Sequence, residues 1–360
     1  MGRQHHAVHS KDVNGVQGLF AYSAVAAKMR AMSGKLVKKQ EYDEMAALGS
    51  VAEVVNYLKK YPSYQRIFAS ESDFDIHRGR VEALFQKAIY ADFEKIYAFS
   101  GLEQRKFLDI YYIRYEIAIL KNCLRMLFDK RDVTLDLSEF QPFFEKRSSL
   151  DLVTLGSSKS IREFVENLKG SVFYPILKRL EGVENPTLFD YENALNLFYI
   201  KRMWNEFAKV MKKRDLKIIT EIYGSEVELL NIEWIYRAKK HYHMAPADIY
   251  AFIVPIHYKL HKDLFKQIVE APTTEDMAKL LQTCYYARFE ERLDDTSSIE
   301  KIYEELLEKI HTVSSRKYPY SIICIENYLY RKEKEVDKLT TLIECVRYGL
   351  GLEETKKYIA

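Results

Sequence analysis

The chain has 360 residues, with 55 Lys and Arg against 52 Asp and Glu and a formal net charge of +3. Charges of both signs are mixed along it, which excludes the concentrated basic stripe of a sequence-independent nucleic-acid binder. No apolar run reaches the roughly 18 residues that span a bilayer, and the N-terminus carries no apolar signal core, which argues against secretion.

Length alone suits two or three domains. Glycine (13) and proline (8) are together about half their usual share, and alternating strand patterns are scarce, so the chain reads as all-α with short connections. Residues 1–18 are polar, with His5, His6 and His9, and read as a disordered leader. Residues 20–32 predict a helix rich in small residues. Ser33-Gly34-Lys35 is no phosphate loop: Met29 stands where the first glycine is needed, and no strand precedes it.

Residues 50–64 predict a short helix opened by Ser50, with Glu53 three later, a capping box. Residues 81–99 predict a long amphipathic helix. Residues 111–127 predict another, with Ile117, Leu120, Leu124 and Leu127 on one face. After a linker over 129–147 the order returns. A short helix over 160–174 aligns with the first, pairing Ser50 with Ser160, Glu53 with Glu163 and Tyr64 with Tyr174. An aromatic-rich helix over 188–210 and a helix over 223–239 follow. The third copy has a short helix over 273–286, opened by Thr273 and Asp276, and long helices over 298–313 and 330–346.

The three last helices align without gaps. Tyr111, Tyr223 and Tyr330 open them, Glu116, Glu228 and Glu335 stand five residues on, and the stripe repeats as Leu229, Ile232, Tyr236 and as Val336, Leu339, Ile343. Lys239 alone breaks it, against Leu127 and Val346. The chain is thus three copies of a helical module of about 110 residues, bounded at 19–128, 129–246 and 247–360.

No catalytic constellation, cofactor motif or metal centre emerges. His257 and His261 would share a face if helical, but the glutamate of a metalloprotease helix is replaced by Tyr258. His241 and His243 read as solvated in a polar turn. Cys123, Cys284, Cys324 and Cys345 read as small buried apolar residues in a reducing compartment. The 27 tyrosines are read as helix packing or, alternatively, as a partner interface. The recurring glutamates are read as flanking acids paired with neighbouring basic residues, or as a functional ring of carboxylates.

These repeats resemble a known family. Residues 22–31 (YSAVAAKMRA), with Leu36 and Tyr42, are similar to the start of the C subunit of archaeal and bacterial V/A-type rotary ATPases and of the d subunit of the vacuolar enzyme. So are the short helix ending at Tyr64, the run Glu116, Ile119, Leu120, Lys121, Leu124, Arg125, and the run Glu228, Asn231, Ile232, Tyr236, Arg237. In the third copy Lys338 and Glu344 replace that Asn and Arg. The resemblance covers residues 20–360. It implies a non-catalytic rotor part without cofactor: a funnel of three helical domains with approximate threefold pseudo-symmetry, peripheral at the cytoplasmic face of the membrane. Its implied partners are the central shaft and the membrane proteolipid ring. The repeat-signature residues Tyr111, Glu116, Arg125, Tyr223, Glu228, Asn231, Arg237, Tyr330 and Glu335 are expected to be structural or at an interface. The reading without the resemblance is a helical-repeat scaffold that binds a protein in a concave surface.

Overall fold

A computed structural model describes residues 5–69, 78–129, 135–288 and 299–359. In chain order its α-helices are α1 (His5–Ser33), α2 (Lys39–Ala46), α3 (Val51–Leu58), α4 (Pro62–Gln65), α5 (Arg78–Phe99), α6 (Leu102–Phe128), α7 (Gln141–Phe144), α8 (Leu152–Gly156) and α9 (Ile161–Asn167). They continue as α10 (Tyr174–Lys178), α11 (Leu188–Val210), α12 (Lys213–Tyr242), α13 (Pro246–Phe252), α14 (Lys262–Glu270), α15 (Thr274–Leu281), α16 (Ile299–Lys317), α17 (Ile323–Arg347) and α18 (Leu352–Ile359). The fold is all-α; no strand occurs among the described residues, and none of their helices is long and apolar enough to cross a membrane.

Local chemistry explains where the helices start. Ser50, Ser160 and Thr273 hold extended backbone conformations, and each side-chain oxygen accepts the N–H of Glu53, Glu163 or Asp276. Glu53 and Glu163 reach back to the N–H groups of Gly49 and Lys159. Thr187 and Asp190 close a full capping box on α11. Helix α12 stops at His243, whose left-handed backbone (φ 49°) lets the next N–H, of Met244, bond back to the Ala238 carbonyl. The long helices fall where the periodicity places them: 81–99 inside α5, 111–127 inside α6, 188–210 as α11, 223–239 inside α12 and 330–346 inside α17. The helix expected over 298–313 is α16; residue 298 lies outside the described residues, as do 1–4 of the leader and 130–134 of the linker. Backbone helicity in α1 begins at His5, so it takes in most of the stretch read as a leader.

The apolar stripe is buried in all three copies: Ile117, Leu120 and Leu124; Leu229, Ile232 and Tyr236; Val336, Leu339 and Ile343. Burying such a side chain is worth about 1.5–3 kcal/mol, so each stripe drives the docking of its helix. Lys239, which breaks the stripe, stays half-buried and donates to the Ala271 carbonyl at 2.7 Å.

The chain divides into two compact units, Met1–Gln104 with Tyr318–Ala360, and Arg105–Lys317. The first unit is therefore made from both ends of the chain. Its hub is α17, which touches α1, α2, α3, α5 and α18. Tyr64, Phe68 and Phe85 form an aromatic cluster with ring centroids 5.7–6.3 Å apart. The hub of the second unit is α12, which packs on α11, α15 and α16. There Phe107 stacks on Phe207 at 5.5 Å, Phe207 meets Tyr223, and Tyr112 of α6 lies against Phe143 and Phe144. The units cut across the module boundaries drawn from the repeat. The long helix of the third copy shares a unit with the short helix of the first, because their apolar faces and buried polar groups complete one another. Cys123, Cys284 and Cys345 are buried free thiols, and Cys324 is half-buried.

Candidate functional site

The recurring glutamates mark the chemically richest positions of the molecule. On α12, Gly224, Glu228 and Asn231 lie at spacings of four and three, on one helical face. Glu228 is fully buried. Its carboxylate accepts the backbone N–H groups of Tyr258, Lys259 and Leu260, the latter two at 2.8–2.9 Å, and the Tyr286 hydroxyl at 2.6 Å. Asn231 clasps the same segment further along: its Nδ2 donates to the Val254 carbonyl at 2.8 Å, and its Oδ1 accepts the Val254 N–H at 2.9 Å. Gly224 makes room for the Tyr258 ring, since a Cβ there would sit 2.7 Å from Cγ. One helix face thus pins the irregular segment 253–261. Burial and the Glu228 charge push the Tyr286 hydroxyl far above its ordinary pKa.

Glu335 on α17 plays the corresponding part in the first unit. It accepts the Val37 N–H at 2.6 Å, the Tyr64 hydroxyl at 2.6 Å and the Lys332 ammonium at 2.6 Å. Lys332, only 1% exposed, also donates to the Tyr64 hydroxyl at 2.9 Å and lies 4.0 Å from Asp92. Tyr328 donates to Asp92 at 2.6 Å. The network ties residues from the loop after α1, from α4 and from α5 to α17.

The short helices end earlier than expected, at Leu58, Asn167 and Leu281, and the tyrosines lie beyond them, Tyr64 in α4, Tyr174 at the start of α10 and Tyr286 in a 3₁₀ turn. In two of the three copies the buried glutamate receives that tyrosine of the next copy, counted cyclically: Tyr286 reaches Glu228, and Tyr64 reaches Glu335. The remaining copy departs from this pairing. Tyr174 donates to Glu166 at 3.3 Å, and Glu116 on α6 accepts the Ser148 hydroxyl. With less compensation for its burial, Glu116 is pushed up to about 6, the Ser148 bond and the Arg202 charge opposing the shift. Glu335 has the neighbouring basic partner expected of a flanking acid. Glu228 instead satisfies backbone N–H groups and a hydroxyl, because a fully buried carboxylate needs a donor for every lone pair.

The other signature residues are placed as follows. Tyr111 and Tyr223 are buried in aromatic contacts, Tyr330 is half-buried, Arg125 pairs with Glu192 at 2.7 Å, and Arg237 lies 3.5 Å from Glu233. They are spread along helices and converge on no common point within either unit. His257 and His261 are not on a helix: His257 belongs to the pinned segment, and His261 caps α14. No group of three or more metal-ligating side chains occurs among the described residues. Asp92, Lys332 and the roles of Tyr64 and Tyr286 are not evident from the sequence. A signal for Asp92 existed: it sits three residues after Ile89 and four before Ile96, on the core face of α5. Chemically, a carboxylate already accepting four donors has no lone pair left for a substrate proton. The clasps fix backbone segments.

Comparison with known proteins agrees in extent with this architecture. The family described as ATP synthase (C/AC39) subunit matches residues 25–358. The C subunit of the A-type ATP synthase of Thermococcus kodakarensis is 21% identical over 344 residues, covering 94% of this chain and 90% of that protein. The C subunits of the A-type enzymes of Methanosarcina mazei and Methanocaldococcus jannaschii are each 22% identical, covering 94% and 95% of this chain and 93% and 86% of theirs. The match takes in both chain ends that build the first unit and the whole of the second, and so the chain belongs to the ATP synthase (C/AC39) subunit family.

Proposed function

We propose that this chain is the non-catalytic adapter of a V/A-type rotary ATPase, coupling the central shaft to the membrane proteolipid ring during ATP-driven ion transport or ATP synthesis. The observation that carries the proposal is the family match across residues 25–358, together with relatives that are named as the C subunit of an A-type ATP synthase and align over nearly their whole length. The threefold helical repeat supports it. In this reading the modules at 19–128, 129–246 and 247–360 surround an approximate threefold axis as a funnel, peripheral at the cytoplasmic face. A torque coupler must be stiff, and close-packed helices with buried clasps supply stiffness. The signature glutamates and Asn231 serve that rigidity rather than any chemistry.

The test is size-exclusion chromatography of the purified chain with the shaft subunits of the same complex. The adapter reading expects co-elution as a one-to-one assembly that weakens with salt. A well-folded chain that forms no complex at low or moderate salt contradicts it.

A further inference from the structure

The corner between α11 and α12 concentrates positive charge. From residue 201 to residue 217 there are seven cationic side chains, Lys201, Arg202, Lys209, Lys212, Lys213, Arg214 and Lys217, against Glu206 and Asp215. The chain as a whole is nearly balanced, so this is a local concentration. Helix geometry gathers it further. Lys201, Asn205 and Lys209 follow one another at spacings of four and are all exposed. The connection is only two residues long, so Lys213 and Lys217 of α12, also exposed, follow directly.

Two features set this corner against its own local electrostatics. Lys213 and Arg214 occupy the first turn of α12, where the helix dipole favours carboxylates. Lys213 and Lys217 also repeat like charge at a spacing of four on α12, with Lys209 close to the end of α11. All three long helices carry an acid in the first turn, Glu103 in α6, Asp215 in α12 and Glu326 in α17, but at α12 that acid is outnumbered by Lys213 and Arg214 and by Lys212 just before them. Beside the corner, α11 offers a groove of about 370 Å³ lined by Phe198, Lys201, Arg202, Asn205, Glu206 and Lys209. The Arg202 guanidinium lies 5.7 Å from the centroid of the Phe198 ring, and Lys209 pairs with Glu206 at 2.9 Å. The groove thus combines an apolar floor, an amide and a cationic rim, which suits a folded protein surface better than diffuse lipid charge.

We infer that the α11–α12 corner, Lys201 to Lys217, docks an acidic face of a protein partner. The inference rests on the adapter reading, in which that partner is the central shaft. Carboxylates of the partner would relieve the repulsion among the lysines and complement the start of α12. Such contacts steer association and confer salt dependence.

The test uses the full-length chain and the purified shaft subunits, with affinity measured at low and moderate salt. The variant Lys209→Glu/Lys213→Glu/Lys217→Glu is expected to bind at least about tenfold more weakly, with a flatter salt dependence. Helicity by circular dichroism checks its folding. The milder Lys213→Gln/Lys217→Gln pair, expected to give an intermediate loss, carries the test if the triple variant does not fold. Unchanged affinity and salt slope in a folded variant would overturn the inference while leaving the adapter reading intact. So would loss of binding to phosphatidylglycerol vesicles with shaft binding retained, which would make the corner a lipid contact. A wild-type chain that does not bind the shaft at all overturns both.

Discussion

Glu228 and Glu116 occupy the same position of the repeat, yet the same substitution should act on them with opposite sign. Glu228→Gln places an amide NH₂ against donors that now bond the carboxylate, so it should destabilise the chain by about 3 kcal/mol, read by urea unfolding. Glu116 has a carboxyl raised from 4.5 to about 6, mainly by burial, so the folded chain holds that proton more tightly than the unfolded chain. Its contribution to stability is fully present below pH 4.5 and is lost as pH rises through 6. Glu116→Gln, which can still accept from Ser148, should therefore stabilise the chain at pH 7 by up to about 2 kcal/mol, the gain vanishing near pH 4.5. Gly224→Ala adds helix propensity but drives a methyl into the Tyr258 ring, and a net loss of about 1–3 kcal/mol in thermal unfolding is expected. The recurrence of the glutamates was legible in the sequence. Their burial was not, since Glu228 meets Tyr286 58 positions away and Glu335 meets Tyr64 271 positions away. No local pattern encodes such pairings.

At the scale of helices the sequence was most informative, because caps and stripes are local. Ser50, Ser160 and Thr273 all cap as the spacing of hydroxyl and acid indicated. Ser160→Ala should remove about 1 kcal/mol, seen as a lower urea midpoint with an unchanged slope. The stripes were equally plain, since the apolar positions of α6, α12 and α17 recur at a helical period and are buried. The polar side of α17 was harder to read. Lys332 looks like an ordinary member of a charged run, but it is buried between Glu335 and Asp92. Lys332→Met leaves those carboxylates without their shared cation and should destabilise the first unit by about 3–5 kcal/mol. Hydrogen exchange should then accelerate in α3, α5 and α17 while the amides of α12 keep their protection.

The whole molecule shows where linear reading of a repeat stops. Three copies were visible as consecutive blocks, but compactness is decided by which faces bury one another. By that criterion residues 1–104 join residues 318–360. Tyr286, beyond α15, completes α12, and Tyr64, in α4, completes α17, the last long helix of the chain, whereas Tyr174 of the middle copy turns to Glu166 instead. The even mixing of charge that the overall balance suggests does not hold at 201–217, where seven cations stand in seventeen consecutive positions against two acids, and the exposed faces of α11 and α12 present Lys201, Lys209, Lys213 and Lys217 to solvent. The central claim, that the chain couples shaft to ring, is tested most directly by ATP-driven ion uptake into vesicles bearing the rotary complex. The complex is measured whole, stripped of this chain, and with the chain added back. Stripping is expected to abolish uptake while ATP hydrolysis by the head persists, and one equivalent of the chain to restore it. Uptake that continues undiminished in the stripped complex would contradict that claim.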